Sequence, residues 1–241
     1  MPENISTLSI LIPVYNEENT ILRILDKVSR VNLIHGIRKE IIIVNDSSTD
    51  NSGAKIQQYM TDHPVLNIRY FLHDKNKGKG AALHTAIANA TGEYLIIQDA
   101  DLEYDPEEYN ILLKPVTGGF ADVVYGSRFV GSNPHRILFF WHSIGNKMLT
   151  FFSNMLNNLN LTDMETCFKL MNTKLVQTLK LKEKKFGFEP EITAKLAKIQ
   201  GIRIYEVGIS YYGRTYKEGK KISFKDGFKA IYCIMKYRFF N

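Results

Sequence analysis

The sequence lacks any apolar run that is long enough to cross a lipid bilayer. Its best candidate, Ile137 to Leu159, is interrupted by His142, Asn146, Lys147 and Asn154. The first residues also lack the basic stretch and apolar segment of a signal peptide. We therefore expect a cytoplasmic protein without a membrane-spanning helix.

Cysteine is scarce. The 241 residues include two cysteines, Cys167 and Cys233, and both lie in apolar neighbourhoods. Two isolated cysteines exclude a multi-bridge disulfide framework, and their separation is unlike the spacing of zinc ligands. The favoured interpretation is a pair of buried, reduced thiols.

Charge of either sign is not in large excess. The chain has 31 Lys and Arg against 25 Asp and Glu, a net charge of +6, which fits a membrane, a phosphorylated ligand or an ordinary surface. Nucleic-acid binding is not expected, because the basic residues cluster near the C-terminus and no recognition motif occurs. The hydrophobic fraction of 44% is enough for one sizeable core.

The first half of the sequence alternates strand-like and helix-like patterns. Strands are predicted at Leu8–Tyr15, Glu40–Asp46, Asn67–His73, Glu93–Gln98 and Ala121–Tyr125. Helices are predicted at Thr20–Val31, Gly53–Thr61 and Ala81–Ala90 and after Pro106. Repeated strand–helix units predict an α/β fold with a mostly parallel sheet, helices on both faces, and ligands at the carboxyl ends of the strands.

The second half has a different pattern, with two amphipathic helices. Predicted elements are a helix at residues 137–160, a short strand and turn at Asp163–Asn172, a helix at Gly187–Ile199, a strand at Ile202–Tyr212, a basic loop at Gly213–Lys221 and a helix at Phe224–Phe240. We expect residues 1–136 and 137–241 to be two halves of one domain.

Acidic residues follow the fourth predicted strand directly. Asp99 and Asp101 occupy alternate positions after the apolar run at 95–97, and Glu103 offers a third oxygen ligand. Hard oxygen ligands suit Mg²⁺ or Mn²⁺, and such a cation can neutralise a leaving diphosphate. Acidic pairs are common on protein surfaces, but this position at the end of a buried strand favours the metal site.

Asp46 ends the second predicted strand. Its carboxylate could accept hydrogen bonds from a base or a ribose, or it could cap the following helix. Asp50 and Ser52 fit the capping role better, which leaves Asp46 for a ligand.

Six short motifs occur in an order that resembles a known family. They are Pro13–Glu18, Asn45–Asp50, Asn76–Gly80, Asp99–Asp101, Gly126–Phe129 and Asp163–Leu170. The first four together resemble the family 2 glycosyltransferases, which have a GT-A fold. The last two resemble the branch with dolichyl-phosphate mannose synthase and dolichyl-phosphate glucosyltransferase. The resemblance extends from about Ser9 to Arg214.

The resemblance implies a nucleotide-sugar site in the first half of the chain. The residues implied to contact the donor are Pro13, Tyr15, Glu17, Asp46, Lys79, Asp99 and Arg214. It further implies that Asp101 and Glu103 bind the metal with Asp99, and that Arg214 clamps the diphosphate. Glu103 departs from the glutamine common in mannose synthases, which adds a carboxylate to the metal site. The 167–169 segment is slightly closer to the glucosyl branch, which favours UDP-glucose over a GDP-linked donor.

The acceptor site is expected after the fifth strand. Arg128 is the first choice for binding an acceptor phosphate, because a guanidinium binds phosphate through two parallel hydrogen bonds. Ser127 adjoins it, Arg136 is the second choice and Lys169 the third. Arg136 could instead be a solvated loop charge, and Lys169 could form an internal salt bridge with Asp163 or Glu165.

The reaction expected from the resemblance is transfer of one sugar to a polyprenyl phosphate. Asp101, Arg128 and Arg214 are its expected catalytic residues. A phosphate is already anionic and needs no general base, so a single displacement with inversion is expected. A hydroxyl acceptor would need a base, for which Glu189 and Glu191 are candidates. A third hypothesis is a nucleotide-sugar-binding module without turnover.

The two amphipathic segments predict contact with a membrane. The first has apolar residues at helical spacing and consecutive aromatics at 139–141, and the second combines aromatics with Lys225, Lys229, Lys236 and Arg238. A stripe that faces the core would have a similar pattern, and so would an interface with a second copy of this chain or with a membrane protein. We favour peripheral binding to the cytoplasmic face of a membrane, with the lipid acceptor between these segments.

Overall fold

The computed structural model describes residues 5–131, 134, 136–137, 139–214 and 224–240. Within these residues the chain forms a single sheet of seven strands and eight helices. The strands are β1 (Thr7–Val14), β2 (Arg38–Asn45), β3 (Ile68–Leu72), β4 (Tyr94–Ile97), β5 (Val123–Ser127), β6 (Lys169–Asn172) and β7 (Ile204–Gly208). The helices are α1 (Ile21–Arg30), α2 (Ser52–Asp62), α3 (Lys79–Asn89), α4 (Tyr109–Thr117), α5 (Phe140–Asn157), α6 (Thr173–Thr178), α7 (Phe188–Ala197) and α8 (Phe224–Phe239).

The sheet is mostly parallel, as the sequence predicts. Its strand order is β3-β2-β1-β4-β6-β5-β7, and β6 alone runs antiparallel to both of its neighbours. Side chains of β2 alternate between two apolar cores, with Ile41 and Ile43 in one and Ile42 and Val44 in the other. This alternation places helices on both faces of the sheet, because neighbouring side chains of a strand point to opposite sides.

The second half of the chain differs most from the sequence prediction. Only Lys169–Asn172 of the predicted strand and turn at Asp163–Asn172 is a strand, and the short helix α6 that follows was not predicted. The predicted strand at Ile202–Tyr212 is shorter, at Ile204–Gly208. Of the basic loop predicted from Gly213 to Lys221, only Gly213 and Arg214 are among the described residues, and the rest lies outside them.

Gly80, in the first turn of α3, lies directly against the backbone of the 183–184 segment. A Cβ atom added to Gly80 would lie 2.3 Å from the carbonyl oxygen of Glu183. The amide of the next residue, Ala81, donates a hydrogen bond to the carbonyl of Lys184 at 3.1 Å. Glycine at this position therefore allows the 183–184 segment to dock on α3.

We expect the Gly80→Ala substitution to lower the free energy of unfolding by about 2 kcal/mol, because an inserted methyl group displaces packed backbone. Gly145→Ala is a matched control, since an added Cβ at Gly145 in α5 meets nothing within 4 Å. The control should be neutral or slightly stabilising, because alanine favours the helix. Urea unfolding measures both, and equal stabilities would contradict the close approach at Gly80.

None of the helices in the described part of the chain combines the length and the apolar character that a membrane crossing requires. Helices α5 and α8 contact each other along the second half of the molecule. Each leaves a row of large apolar side chains exposed. These are Phe140, Trp141, Met148, Phe151 and Met155 on α5 and Phe228, Tyr232, Met235 and Phe239 on α8. We call these nine residues the aromatic surface.

Candidate active site

Three residues with strained backbones follow the central strands at one edge of the sheet. Asn16, Ser47 and Leu102 come after β1, β2 and β4, and all three have a positive φ between 55° and 65°. A positive φ is costly for residues other than glycine, and such residues concentrate at functional sites. The strain therefore lies at the sheet edge where the sequence predicts ligand binding.

The loops after β1 and β2 are locked together by hydrogen bonds. The Asn16 amide donates to Ser48 Oγ at 3.0 Å, and the Thr49 amide donates back to Asn16 Oδ1 at 2.8 Å. Asp50 and Glu18 form a second reciprocal pair, in which each carboxylate accepts a backbone N–H from the other loop. These bonds form a rigid wall beside the expected nucleoside pocket.

The expected nucleoside residues lie along this wall. Tyr15 is 39% exposed, and Pro13 is half-buried near the end of β1. Glu17 accepts a hydrogen bond from Thr20 Oγ1 at 2.7 Å, and its Oε2 atom lies 3.9 Å from Arg214 Nη1. Glu17 thus connects the wall to the acidic residues after β4.

Asp46 has a structural role that the sequence analysis did not predict. It is buried and holds the chain at 77–78, because its two oxygens accept the backbone N–H groups of Lys77 and Gly78 at 2.9 and 2.7 Å. In addition, His73 Nδ1 lies 2.6 Å from Oδ1 of the same carboxylate. In this structure Asp46 positions the segment that leads into α3, and its contact with a base or a ribose stays a prediction.

Cations of the chain engage two of the acidic residues after β4. Lys79 Nζ lies 2.6 Å from the Asp99 carboxylate, and Arg214 Nη2 lies 2.7 Å from Asp101 Oδ2. Burial lowers the pKa of Lys79, but the Asp99 carboxylate raises it well above its usual value overall. Lys79 and Arg214 therefore lie beside the acidic residues after β4, and their contact with a donor diphosphate stays a prediction.

Glu103 has a different part from the one predicted. Its carboxylate accepts the Arg214 amide at 2.7 Å and the Tyr211 hydroxyl at 2.8 Å, so it anchors the 211–214 segment. Among the described residues no three His, Cys, Asp or Glu side chains are gathered as a metal site. Protein donors thus contact both oxygens of Glu103, and its place in a set of three metal ligands stays a prediction.

The chemistry of the remaining carboxylates still fits a divalent cation. Burial raises the pKa of Asp101 to about 7, and the neighbouring carboxylates of Asp99 and Glu103 add to the effect. These three acidic groups, which we call the acidic cluster, are stabilised by positive charge, which here comes from Lys79 and Arg214. Asp99 and Asp101 offer the oxygen ligands that Mg²⁺ and Mn²⁺ prefer.

Two of the predicted acceptor residues, Arg128 and Arg136, lie after β5 at a cavity of about 150 Å³. Its lining residues are Arg128, Phe129, Arg136, Ile137, Ser143, Lys147 and Tyr211. Three of the seven are cationic, so the cavity suits an anion. Arg136 also donates to the carbonyl of Gly213 at 2.9 Å, which ties the cavity to the segment that carries Arg214.

Arg128 is held in place by Asp163 through a two-point ion pair. Its Nε and Nη2 atoms donate to the two oxygens of Asp163 at 2.6 and 2.7 Å. Burial would raise the pKa of Asp163, but the Arg128 guanidinium keeps it below its usual value. Ser127 is buried and hydrogen-bonded to Thr162 Oγ1 at 2.6 Å, so it supports this segment rather than facing the cavity.

Lys169 and Glu191 do not lie where an acceptor could reach them, which corrects both predictions. Lys169 is completely buried and paired with Glu189, rather than with Asp163 or Glu165. Glu191 is also fully buried, pairs with Lys195 at 2.7 Å, and accepts two backbone N–H groups from residues 182 and 183. Both side chains satisfy charges inside the protein.

Tyr211 was missed by the sequence analysis. Its ring lies 5.1 Å from the Arg128 guanidinium carbon, its hydroxyl donates to Glu103, and it lines the cationic cavity. It therefore connects the acidic cluster to the cavity. The available signal was its place at the end of a predicted strand, three residues before Arg214.

The chain is similar in sequence to proteins of known class. The sequence profile described as Glycosyl transferase family 2 matches residues 9–180. A dolichol-phosphate mannosyltransferase of Pyrococcus furiosus is 32% identical over 123 residues, which cover 51% of this chain and 33% of that protein. A dodecaprenyl-phosphate galacturonate synthase of Rhizobium johnstonii is 22% identical over 97% of this chain and 67% of its own. The chain thus spans only part of these relatives.

Solved structures share the fold over nearly the whole chain. Glucosyl-3-phosphoglycerate synthase of Mycobacterium tuberculosis, in complex with Mn²⁺, UDP and phosphoglyceric acid, has a TM-score of 0.73 at 18% identity and covers 98% of this chain and 80% of its own. The predicted GT-A architecture is thereby confirmed. With the profile matching most of the sequence, the chain belongs to glycosyl transferase family 2.

Proposed function

We propose that this glycosyltransferase moves one sugar from a nucleotide-sugar to the phosphate of a polyprenyl phosphate, with inversion at the anomeric carbon. The observation that carries the proposal is the cationic cavity beside the acidic cluster, joined to it through Tyr211. An acceptor phosphate in the cavity would face a donor diphosphate near Lys79 and Arg214. We assign residues 1–136 to the donor half of the domain and 137–241 to the acceptor half.

The residues of the chain would act mainly by binding and orienting the two phosphates. Arg128, with Arg136 and Lys147, would hold the acceptor so that one phosphate oxygen forms the bond to the anomeric carbon. The bond to the donor diphosphate breaks, and its electron pair leaves with the diphosphate, toward Arg214. When bound by Asp99 and Asp101, Mg²⁺ or Mn²⁺ would supply Lewis-acid stabilisation of that charge.

The location of Glu191 disfavours sugar transfer to a hydroxyl acceptor. Transfer to a hydroxyl needs a base within reach of the acceptor, and both Glu189 and Glu191 are buried in ion pairs. A phosphate acceptor needs no such base. The names of the relatives from Pyrococcus and Rhizobium, which include polyprenyl phosphates, favour the same acceptor class.

Product formation tests the proposal most directly. Purified protein is incubated with a panel of UDP- and GDP-sugars and a short-chain polyprenyl phosphate, with Mn²⁺, with Mg²⁺ or with EDTA. A phosphate-linked lipid sugar is expected to form with Mn²⁺ or Mg²⁺ and not with EDTA, with UDP-glucose as the leading donor. Donor hydrolysis without lipid product would favour a hydroxyl acceptor. Donor binding without either reaction would favour a non-catalytic binding module.

We further propose that the aromatic surface binds the membrane that holds the lipid acceptor, on its cytoplasmic face. Trp141 and Phe151 are 71% and 62% exposed on one face of α5. Lys229 and Arg238 are exposed on the adjoining helix α8, which suits an anionic interface. The apolar rows and the nearby cations together fit an amphipathic surface that lies in a lipid headgroup layer.

We expect the double substitution Trp141→Ala and Phe151→Ala to weaken binding to mixed phosphatidylcholine–phosphatidylserine vesicles by roughly tenfold or more, because two aromatic side chains no longer leave water. Phe120→Ala is the matched control, since Phe120 is 61% exposed outside this surface. Co-sedimentation measures both. Unchanged vesicle binding would contradict the membrane proposal. A dimer that the double substitution dissociates would make the aromatic surface an oligomer interface instead.

A further inference from the structure

The 163–167 segment connects the acceptor side of the site to the donor side. At one end, Asp163 pairs with Arg128 in the cationic cavity. At the other end, Cys167 Sγ lies 2.9 Å from Lys79 Nζ, which is itself paired with Asp99. In the proposed reaction a sugar that passes between the two phosphates would lie next to this segment, and Glu165 is at its midpoint.

Glu165 is a partly buried residue, and one of its two carboxyl oxygens has no hydrogen-bond partner. Its Oε1 atom is shielded from solvent and forms no hydrogen bond with any described residue. Nearby charged groups are already paired, Lys169 with Glu189 and Arg128 with Asp163. A buried polar atom without a hydrogen bond costs about 1–3 kcal/mol, and a polar ligand that bonded to it would recover that cost.

The protonation state of Glu165 suits a neutral hydroxyl ligand. Burial raises the pKa of Glu165 to about 8, and the carboxylate of Glu189 contributes to the rise. At neutral pH most of the group is therefore an uncharged acid, which has both a hydrogen-bond donor and acceptors. A sugar hydroxyl offers the matching donor and acceptor. A phosphate is an anion, and its charge would disfavour the ionised form of Glu165.

We infer that Glu165 is a specificity-determining residue that binds a hydroxyl group of the transferred sugar. The inference rests on the proposed function for the donor class, but not on the acceptor. It assigns to Glu165 the recognition of the sugar, while the residues around Asp99 and Arg214 recognise the nucleotide part. The residue therefore acts by positioning and selecting the donor.

Binding measurements without acceptor separate these two parts of the donor. Calorimetry compares the free nucleotide with its nucleotide-sugar for the wild type, Glu165→Ala and Glu165→Gln. We expect Glu165→Ala to weaken binding of the nucleotide-sugar by roughly tenfold or more and to leave the free nucleotide within about twofold. Glu165→Gln, which keeps a donor and an acceptor, should recover much of the affinity.

A matched control tests the packing of the segment. Met164 adjoins Glu165 and is completely buried, and Met164→Leu conserves its volume, so it should change neither affinity. Thermal unfolding gives a second readout, because removal of an unpaired buried carboxyl in Glu165→Ala should leave the protein as stable or more stable. A structural role would instead lower the unfolding temperature and weaken both ligands.

Each other outcome has a definite meaning. Equal loss of free nucleotide and nucleotide-sugar, or no loss of either, overturns the inference for Glu165. A wild type that binds nucleotide-sugar and discriminates through Glu165, but glycosylates no lipid, removes only the proposed acceptor. A wild type that binds no nucleotide-sugar removes the proposed function and this inference together.

Discussion

Asp101→Asn is expected to lower sugar transfer about a thousandfold, the scale of losing one preorganised electrostatic contact in a transition state. Asp101 pairs with Arg214 at 2.7 Å, and its carboxylate would share the divalent cation with Asp99. Asparagine keeps the shape of the side chain but removes the negative charge. Initial rates with the donor identified in the panel, measured across Mn²⁺ concentrations, report the effect.

A binding readout distinguishes the loss of a ligand from general damage. Calorimetric titration of Mn²⁺ into protein with UDP should lose most of its signal in Asp101→Asn. Asp62→Asn, at the end of α2 on the exposed surface, is the control and should behave as wild type. Transfer that persists within about tenfold of wild type would show that Asp101 is not a principal ligand.

Lys169→Met is expected to have the largest effect on stability, a loss of about 3–5 kcal/mol in the free energy of unfolding. Lys169 is completely buried, where it pairs with Glu189 and donates to the carbonyl of Met164 at 3.1 Å. Without the ammonium group, the Glu189 carboxylate is left buried and uncompensated. Urea unfolding at neutral pH measures the difference.

The companion substitution decides whether the charge is the cause. Lys169→Met combined with Glu189→Gln should recover a large part of the lost stability, because no buried charge then lacks a partner. A double variant as unstable as the single one would assign the loss to the backbone carbonyls that Lys169 holds. A single variant with wild-type stability would contradict burial of the pair.

The sheet could be predicted from the sequence because its strands have clear local signals. The β-branched run at 41–44 is typical of a central parallel strand. The acidic residues after 97 mark the edge of the sheet at which the parallel strands have their carboxyl ends. The loops at 16–18 and 46–50 follow strands that end at that edge, and hydrogen bonds join them. Here the periodicity of the chain and the geometry of parallel strands were sufficient.

The partners of buried charges could not be predicted in the same way. Lysine is rarely buried, so Lys169 was more naturally assigned to a ligand, and nothing local in the sequence indicates that it pairs with a residue twenty positions away. Asp46 has the same difficulty, since its partners at 77–78 come from a distant loop. Strand β6 has only four residues, too few for its pattern to reveal an antiparallel direction.

The antiparallel strand β6 has a consequence for the size of the group that can be moved. It lies between β4, which leads to Asp99, and β5, which leads to Arg128, so the two strand ends are two strand spacings apart, or roughly 10 Å. In the proposed reaction the strand works as a spacer that sets the span between the leaving and the accepting phosphate. We expect a span of that length to admit a monosaccharide and to exclude a longer glycan, whichever side chains line it.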